Sequence, residues 1–350
     1  MNTSISKKEM LLHRKATATH GKRERPFALT ELFLWITVFT ACGYLLTHPS
    51  LPSEAVKASL SFCARTLIPS LFPFMISGEL LVTSRFPYVL EKYLGKPFYR
   101  VFGIDGKGAA AFVIGAFCGF PVGAKTAVSL YLSGNIKKED AERLSGISNN
   151  AGLGFLVSGI GIGIWGSAVF GAAIYTTQLL SAFLTALFLF GISKKRSSEA
   201  AILNMEKSPT KRDITLSEAL SNAISSSALS MLRVVGFVVF FEILISSLSY
   251  ALSSAGAGPL TVSIISAFAE ITAGAKSLNQ LSAIHSVTYL YAAKILTFTL
   301  SAWGGLSVYM QFCAFACPAG LSTKVYLKAK LLQSFLSTLI GSALVFLKIV

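Results

Sequence analysis

Six apolar runs, at 29–48, 66–83, 166–191, 231–252, 284–302 and 324–349, decide what this chain can fold into. Most approach or exceed the roughly 20 residues that an α-helix needs to cross a hydrocarbon core. Inside a bilayer every backbone N–H and C=O must find its partner within the protein, which leaves helices and closed barrels as spanning structures. A seventh run, 138–163, is interrupted. With 53% hydrophobic and 13% charged residues and a mean hydropathy of +0.63, the chain lies outside the composition of soluble domains. The expected fold class is an all-α integral membrane protein with about seven transmembrane spans.

The formal net charge of +15 would suggest a nucleic-acid partner in a soluble protein. Here the basic residues sit in loops beside apolar spans, where the positive-inside rule accounts for them, and no nucleic acid is expected. Residues 1–28 form a basic tail with seven Lys/Arg ahead of a first anchor at 29–52. That apolar run is longer than the core of a secretory signal and lacks a clean small-residue cleavage site, so the tail is expected on the cytoplasmic side. The five cysteines, Cys42, Cys63, Cys118, Cys313 and Cys317, show neither disulfide nor zinc spacing. His13, His20, His48 and His285 are scattered without a metal or nucleophile–base constellation. No cofactor, metal or enzymatic activity is expected.

The chain repeats itself. Residues 116–130, AFCGFPVGAKTAVSL, match 267–281, AFAEITAGAKSLNQL, at Ala116/Ala267, Phe117/Phe268, Gly123/Gly274, Lys125/Lys276, Thr126/Ser277 and Leu130/Leu281. Upstream, the stretch from Ser53 resembles the stretch from Ser217, and each leads to one intramembrane glutamate, Glu79 or Glu242; the register changes between this match and the hairpin match, because 85–107 has only 251–258 as its counterpart, so the first half is expected to carry an extra interfacial helix. The first copy is flanked by Arg85, Lys92, Lys96, Arg100 and Lys107 before the motif and Lys137, Lys138 and Arg143 after it. The second, apart from Lys276, has no Lys or Arg between Arg233 and Lys294. The copies are therefore expected to have opposite orientations, an inverted-topology repeat of the kind found in secondary transporters. Repeat 1 is placed at 53–191 with a re-entrant hairpin at 108–132, a basic cytoplasmic linker at 192–216, and repeat 2 at 217–350 with a hairpin at 258–282.

The breaks mark the candidate site. Gly119, Phe120, Pro121 and Gly123 interrupt the first apolar hairpin, and Asn149 and Asn150 interrupt the segment after it. The second half answers with Glu270, Thr272 and Gly274, then with Ser301, Trp303 and two glycines. Two hairpin tips and two broken helices would bring free helix ends to one place, N-termini favouring anions and freed carbonyls favouring cations. Lys125 and Lys276, followed by Thr126 and Ser277, open the second hairpin arms; a charge at membrane depth is costly, and paired lysines suggest an anionic substrate. Glu270 is the carboxylate available for proton or cation coupling. Against these readings, the lysines could snorkel to an interface, the asparagines could merely cap broken ends, and Trp303 could pack rather than gate. GFPVGAKT also looks like a nucleotide-binding loop, but Ala124 stands where that motif needs glycine.

The residues GFPVGAKTA, KKEDAERL followed by SNNAG, and AFAEITAGAK resemble the nucleoside-recognition or Gate-domain membrane proteins, and among them the sporulation integral membrane protein YlbJ family. The resemblance covers about residues 53–350. It implies an architecture similar to concentrative nucleoside transporters, a role in spore maturation, and as task the movement of dipicolinic acid out of the mother cell across the outer forespore membrane. The tips here lack the Gln/Glu-rich sequences of the nucleoside carriers. Three readings stand: a carrier of a small organic anion such as dipicolinate, a nucleoside or nucleobase carrier of the same fold, and a non-transporting scaffold in spore-envelope assembly. The coupling ion, proton or sodium, and homo-oligomerisation stay open.

Overall fold

The computed structural model describes residues 50–191, 215–283 and 286–350 together with Trp35, Phe39, Gly43, Leu46 and Thr47. It divides into two units, Met1–Pro52 and Ser53–Val350. The described positions of the first unit are helical, and Thr47 donates back to the Gly43 carbonyl. Most of the expected anchor at 29–52 and the linker at 192–216 lie outside the described residues.

The second unit is all-helical among its described residues: α1 (Ser53–Thr83), α2 (Phe86–Phe102), α3 (Ala109–Cys118), α4 (Val122–Leu132), α5 (Lys138–Ser148), α6 (Phe155–Ile162), α7 (Ala168–Gly191), α8 (Leu216–Ser254), α9 (Pro259–Ala269), α10 (Ile271–Ser282), α11 (Val287–Trp303), α12 (Gly305–Ala316) and α13 (Lys324–Phe346). Four of these, α1, α7, α8 and α13, are long and apolar enough to cross a bilayer. Fewer than the expected seven qualify among the described residues, because 138–163 is interrupted at 149–154, α11 stops at Gly304 after 17 residues, and 29–48 lies mostly outside the described residues. At 39 residues, α8 runs about 58 Å, well beyond the hydrocarbon thickness, so its Ser-rich start extends past the span expected at 231–252.

Two of the spans, α13 and α7, are apolar outside and largely polar inside. On α13, Leu331, Phe335 and Leu339 form an exposed i, i+4 stripe, whereas Lys330, Gln333, Ser334 and Ser337 are buried. On α7, Leu180, Phe183 and Leu187 are exposed, and Thr177, Gln178, Ser181 and Thr185 are buried. Lipid tails give apolar side chains no reason to turn inward, so small and polar residues mediate helix packing instead. Gly341 shows how closely: a Cβ there would come within 2.5 Å of the Phe298 ring. The chain is an all-α, multi-pass integral membrane protein.

The two hairpins expected from sequence appear as α3–α4 and α9–α10. The first is entered from α2, whose axis is bent 110° from the following Gly106–Cys118 helix. The long helices that precede the hairpins, α1 and α8, show the repeat in their burial. Ser59 and Cys63 are buried like Ala223 and Ser227, and further on Leu71, Met75 and Gly78 are buried like Val234, Val238 and Phe241. Between those two sets the alignment slips by one residue. α1 contains a π-helical stretch at Cys63–Leu67, where the Ile68 N–H reaches the Cys63 carbonyl five residues back. Such a stretch is one inserted residue in an α-helix. Pro69 follows it, and proline has no amide hydrogen and crowds the carbonyl four residues behind, which a widened turn relieves.

Candidate functional site

Each hairpin tip is seated against the broken helix of its own repeat. In the first, Gly119 turns the chain at φ +79°, the Phe120–Pro121 peptide is cis, and α4 begins at Val122. The Phe120 N–H donates to the Asn150 carbonyl at 2.7 Å. Gly115 and Gly123, one on each arm, leave a notch for the Ser148 carbonyl at the end of α5; an added Cβ would lie 2.2 and 2.1 Å from that oxygen. A Cβ on Gly119 would meet the Gly152 nitrogen at 2.3 Å. The first tip is glycine-rich because backbone lies directly on backbone.

The second tip repeats the arrangement with other side chains. Glu270, 1% exposed, occupies the place of Gly119, in extended backbone, and its carboxylate caps α10 by accepting from the Ala273 N–H at 2.7 Å. Gly274 lets its arm approach Ala267, whose Cα would lie 2.3 Å from an added Cβ. Gly305, at φ +86° in the break, faces the Ala269 carbonyl as Gly152 faces that of Cys118. Trp303 donates from Nε1 to the Phe268 carbonyl and stacks on the Phe268 ring, so it locks the tip to the break. Ser301 donates to the Phe298 carbonyl within its own helix, and Ser277 bonds Ser263 across the hairpin arms. Thr126 returns its hydroxyl to the Val122 carbonyl.

The two lysines end on the long helices. Lys125 forms an ion pair with Glu79 on α1 and donates to Ser226 on α8 at 2.7 Å. Lys276 lies 4.3 Å from the Phe62 ring centroid on α1, within electrostatic reach of Glu242 and Glu270. Ser226 and Phe62 hold equivalent places in the two repeats, as do Glu79 and Glu242. Each lysine therefore touches the other repeat's long helix and faces its own repeat's glutamate. Lys125 is 38% exposed along its side chain and lines a cleft with Pro121, Ser230, Arg233, Phe237, Gln311, Ala314 and Phe315. The cleft thus holds two cations, Lys125 from repeat 1 and Arg233 from repeat 2, and Arg233 has no ion-pair partner among the described residues.

The asparagines at the first break are tied into a buried network. Asn149 Nδ2 donates to the Tyr326 hydroxyl, and Asn150 Oδ1 accepts from Lys330 Nζ at 3.0 Å and Gln333 Nε2 at 2.9 Å. Gln178 holds the backbone of Ala151 with both ends of its amide. Several buried polar atoms have no partner among the described residues: Ser148 Oγ and Asn149 Oδ1 at the first break, Thr272 Oγ1 at the second tip, Ser307 Oγ and Gln311 Oε1 on α12, and Glu242 Oε2. Buried polar groups are normally satisfied; Trp165 Nε1, Thr185 Oγ1 and Ser227 Oγ are unpartnered elsewhere in the bundle, and the orphans at the tips and breaks lie where water or solute would meet them. Sequence reasoning missed Arg233, Gln311 and Lys330. Arg233 served only as a marker of sidedness, and Lys330 lay unremarked in the apolar run 324–349, although the cost of a charge at depth applies to it as it does to Lys125.

Among proteins of known name, the sporulation integral membrane protein YlbJ of Bacillus subtilis (strain 168) is 26% identical over 335 residues, covering 87% of this chain and 79% of that protein. No protein-family model matches the chain, and no solved structure matches it. The match to YlbJ covers most of both chains, and this chain is similar to the YlbJ family of sporulation integral membrane proteins.

Proposed function

We propose that this protein carries a small organic anion across a membrane of a sporulating cell, with dipicolinate as the first candidate. The observation that carries the reading is the cleft at the first hairpin tip, where Lys125 and Arg233, from opposite repeats, stand together beside the unpartnered Gln311 amide oxygen. Two cations lining one cleft suit a compact solute with two carboxylates, and dipicolinate is a dianion at neutral pH. The relative's name supplies the sporulation context. Glu79 holds Lys125 when no solute is present, and an entering carboxylate would take its place, which links occupancy to the packing of α1 against α4. Motion of one repeat against the other would then expose the cleft to alternate sides.

Binding of labelled dipicolinate to the purified protein in nanodiscs tests this, with labelled uridine as the uncharged comparison. Saturable dipicolinate binding that falls by at least about tenfold in Lys125→Ala and in Arg233→Ala is expected, on the scale of a buried charge-assisted contact. Equal binding in both variants, or preference for uridine, contradicts the anion site.

A further inference from the structure

Lys330 is a buried lysine that the tip-and-cleft geometry does not use. It is 2% exposed in the middle of the bundle, on a helix long and apolar enough to span. Its ammonium donates to two amide oxygens, Asn150 Oδ1 at 3.0 Å and Gln333 Oε1 at 2.9 Å. Gln333 in turn donates to Asn150 Oδ1 and to the Gln178 carbonyl, so the ammonium is held within a ring of amides at the first helix break. No carboxylate joins it. Among the titratable and charged groups on the elements packed around it, Glu142 on α5 accepts from the Ser322 N–H and Arg143 lies over the Phe190 ring. Tyr175 on α7 donates to the Ala116 carbonyl, Lys294 on α11 faces the Phe170 ring, and Tyr326 on α13 receives Asn149. Each of these is engaged elsewhere, and Lys330 has no ion-pair partner among the described residues.

An ion sealed from water without a counter-charge is costly, and it persists only where neutral donors or acceptors are arranged around it. In inverted-repeat carriers, backbone carbonyl oxygens freed at an unwound helix coordinate the coupling cation, and side-chain amide oxygens offer the same kind of ligand. Here the third N–H of Lys330 has no partner among the described residues, and two buried acceptors at the same break, Ser148 Oγ and Asn149 Oδ1, are also unpartnered. We propose that Lys330 is the coupling site of the transporter and that its ligand is a proton: the ammonium sits between the first break and α13 where a bound cation would otherwise sit. The inference rests on the transport reading for its meaning and on the geometry of the break for its content. In the protonated form Lys330 draws Asn150 and Gln333 together and ties the break to α13. When the amine gives its proton to entering water it keeps two N–H donors and gains a lone pair, the Asn150 link is weakened, and the break is released.

The experiment needs no solute. Hydrogen–deuterium exchange of the backbone around Asn149–Leu153 is followed in nanodiscs from mildly acidic to mildly alkaline pH and corrected for intrinsic exchange. In the wild type, protection falls as pH rises, by up to about tenfold per pH unit for release of one proton. In Lys330→Met the corrected protection no longer depends on pH. Asn150→Asp, which adds a carboxylate beside the ammonium, moves the transition to higher pH and keeps the proposal testable should the Met variant not fold. Protection that is independent of pH in the wild type, unchanged pH dependence in Lys330→Met, or no movement of the transition in Asn150→Asp overturns the proposal. Because exchange is read without dipicolinate, a failure of the anion reading would leave this result separately interpretable.

Discussion

Gly123 carries more of the site than its size suggests, because the Ser148 carbonyl occupies the space where any other side chain would begin. Gly123→Ala is expected to destabilise the protein by about 1–3 kcal/mol through overpacking against backbone that cannot move aside. Gly236→Ala on α8, where nothing lies within 4 Å of an added Cβ, should be neutral or slightly stabilising. Thermal melts of the two variants in the same detergent check the difference, and equal melting temperatures would contradict the close packing of tip on break. At this scale the sequence was a good guide to position and a poor one to partners. Pro121, Gly119 and the Asn149–Asn150 pair announced breaks because their backbone preferences are local. That Asn150 would meet Lys330 and Gln333, nearly two hundred residues later, depends on which face of α13 turns inward, and no local preference encodes that.

At the scale of elements, the hairpins were legible to within a few residues, whereas α1 and α8 begin more than ten residues before the expected spans, and the slip of register between them was not anticipated. The π-helical stretch before Pro69 explains it as one extra residue absorbed within a turn. Deleting Ala64 in a Pro69→Leu background is therefore expected to leave both flanks of α1 on their present faces. Deleting Gly236 from the regular α8 would rotate everything beyond it by about 100° and expose its buried stripe. Fluorescence-detected size-exclusion of tagged variants should show a monodisperse peak for the first and aggregation for the second. Equal loss in both would argue that the bulge is not an insertion in an otherwise equivalent helix. The number of spans was less legible, since an apolar run reads the same whether it crosses unbroken or stops at a glycine as α11 does at Gly304.

For the whole molecule the central idea is that two copies of one unit, each a long helix, a hairpin and a broken helix, face one another with opposite orientation. The burial match between α1 and α8 and the tip-on-break pairing in both halves support the repeat, and charge asymmetry supports the inversion. Single cysteines at Ser133, after the first hairpin, and Ser254, before the second, both exposed, should react with a membrane-impermeant thiol reagent from opposite sides in a background with the native cysteines replaced. Reaction from one side would contradict the inversion. The most direct measurement is uptake of radiolabelled dipicolinate into proteoliposomes, beside labelled uridine and a Lys125→Ala/Arg233→Ala double variant. The account predicts accumulation of dipicolinate but not uridine, lost in the double variant although it inserts normally. Uptake undiminished in that variant, or no dipicolinate movement by folded and inserted protein, would contradict it.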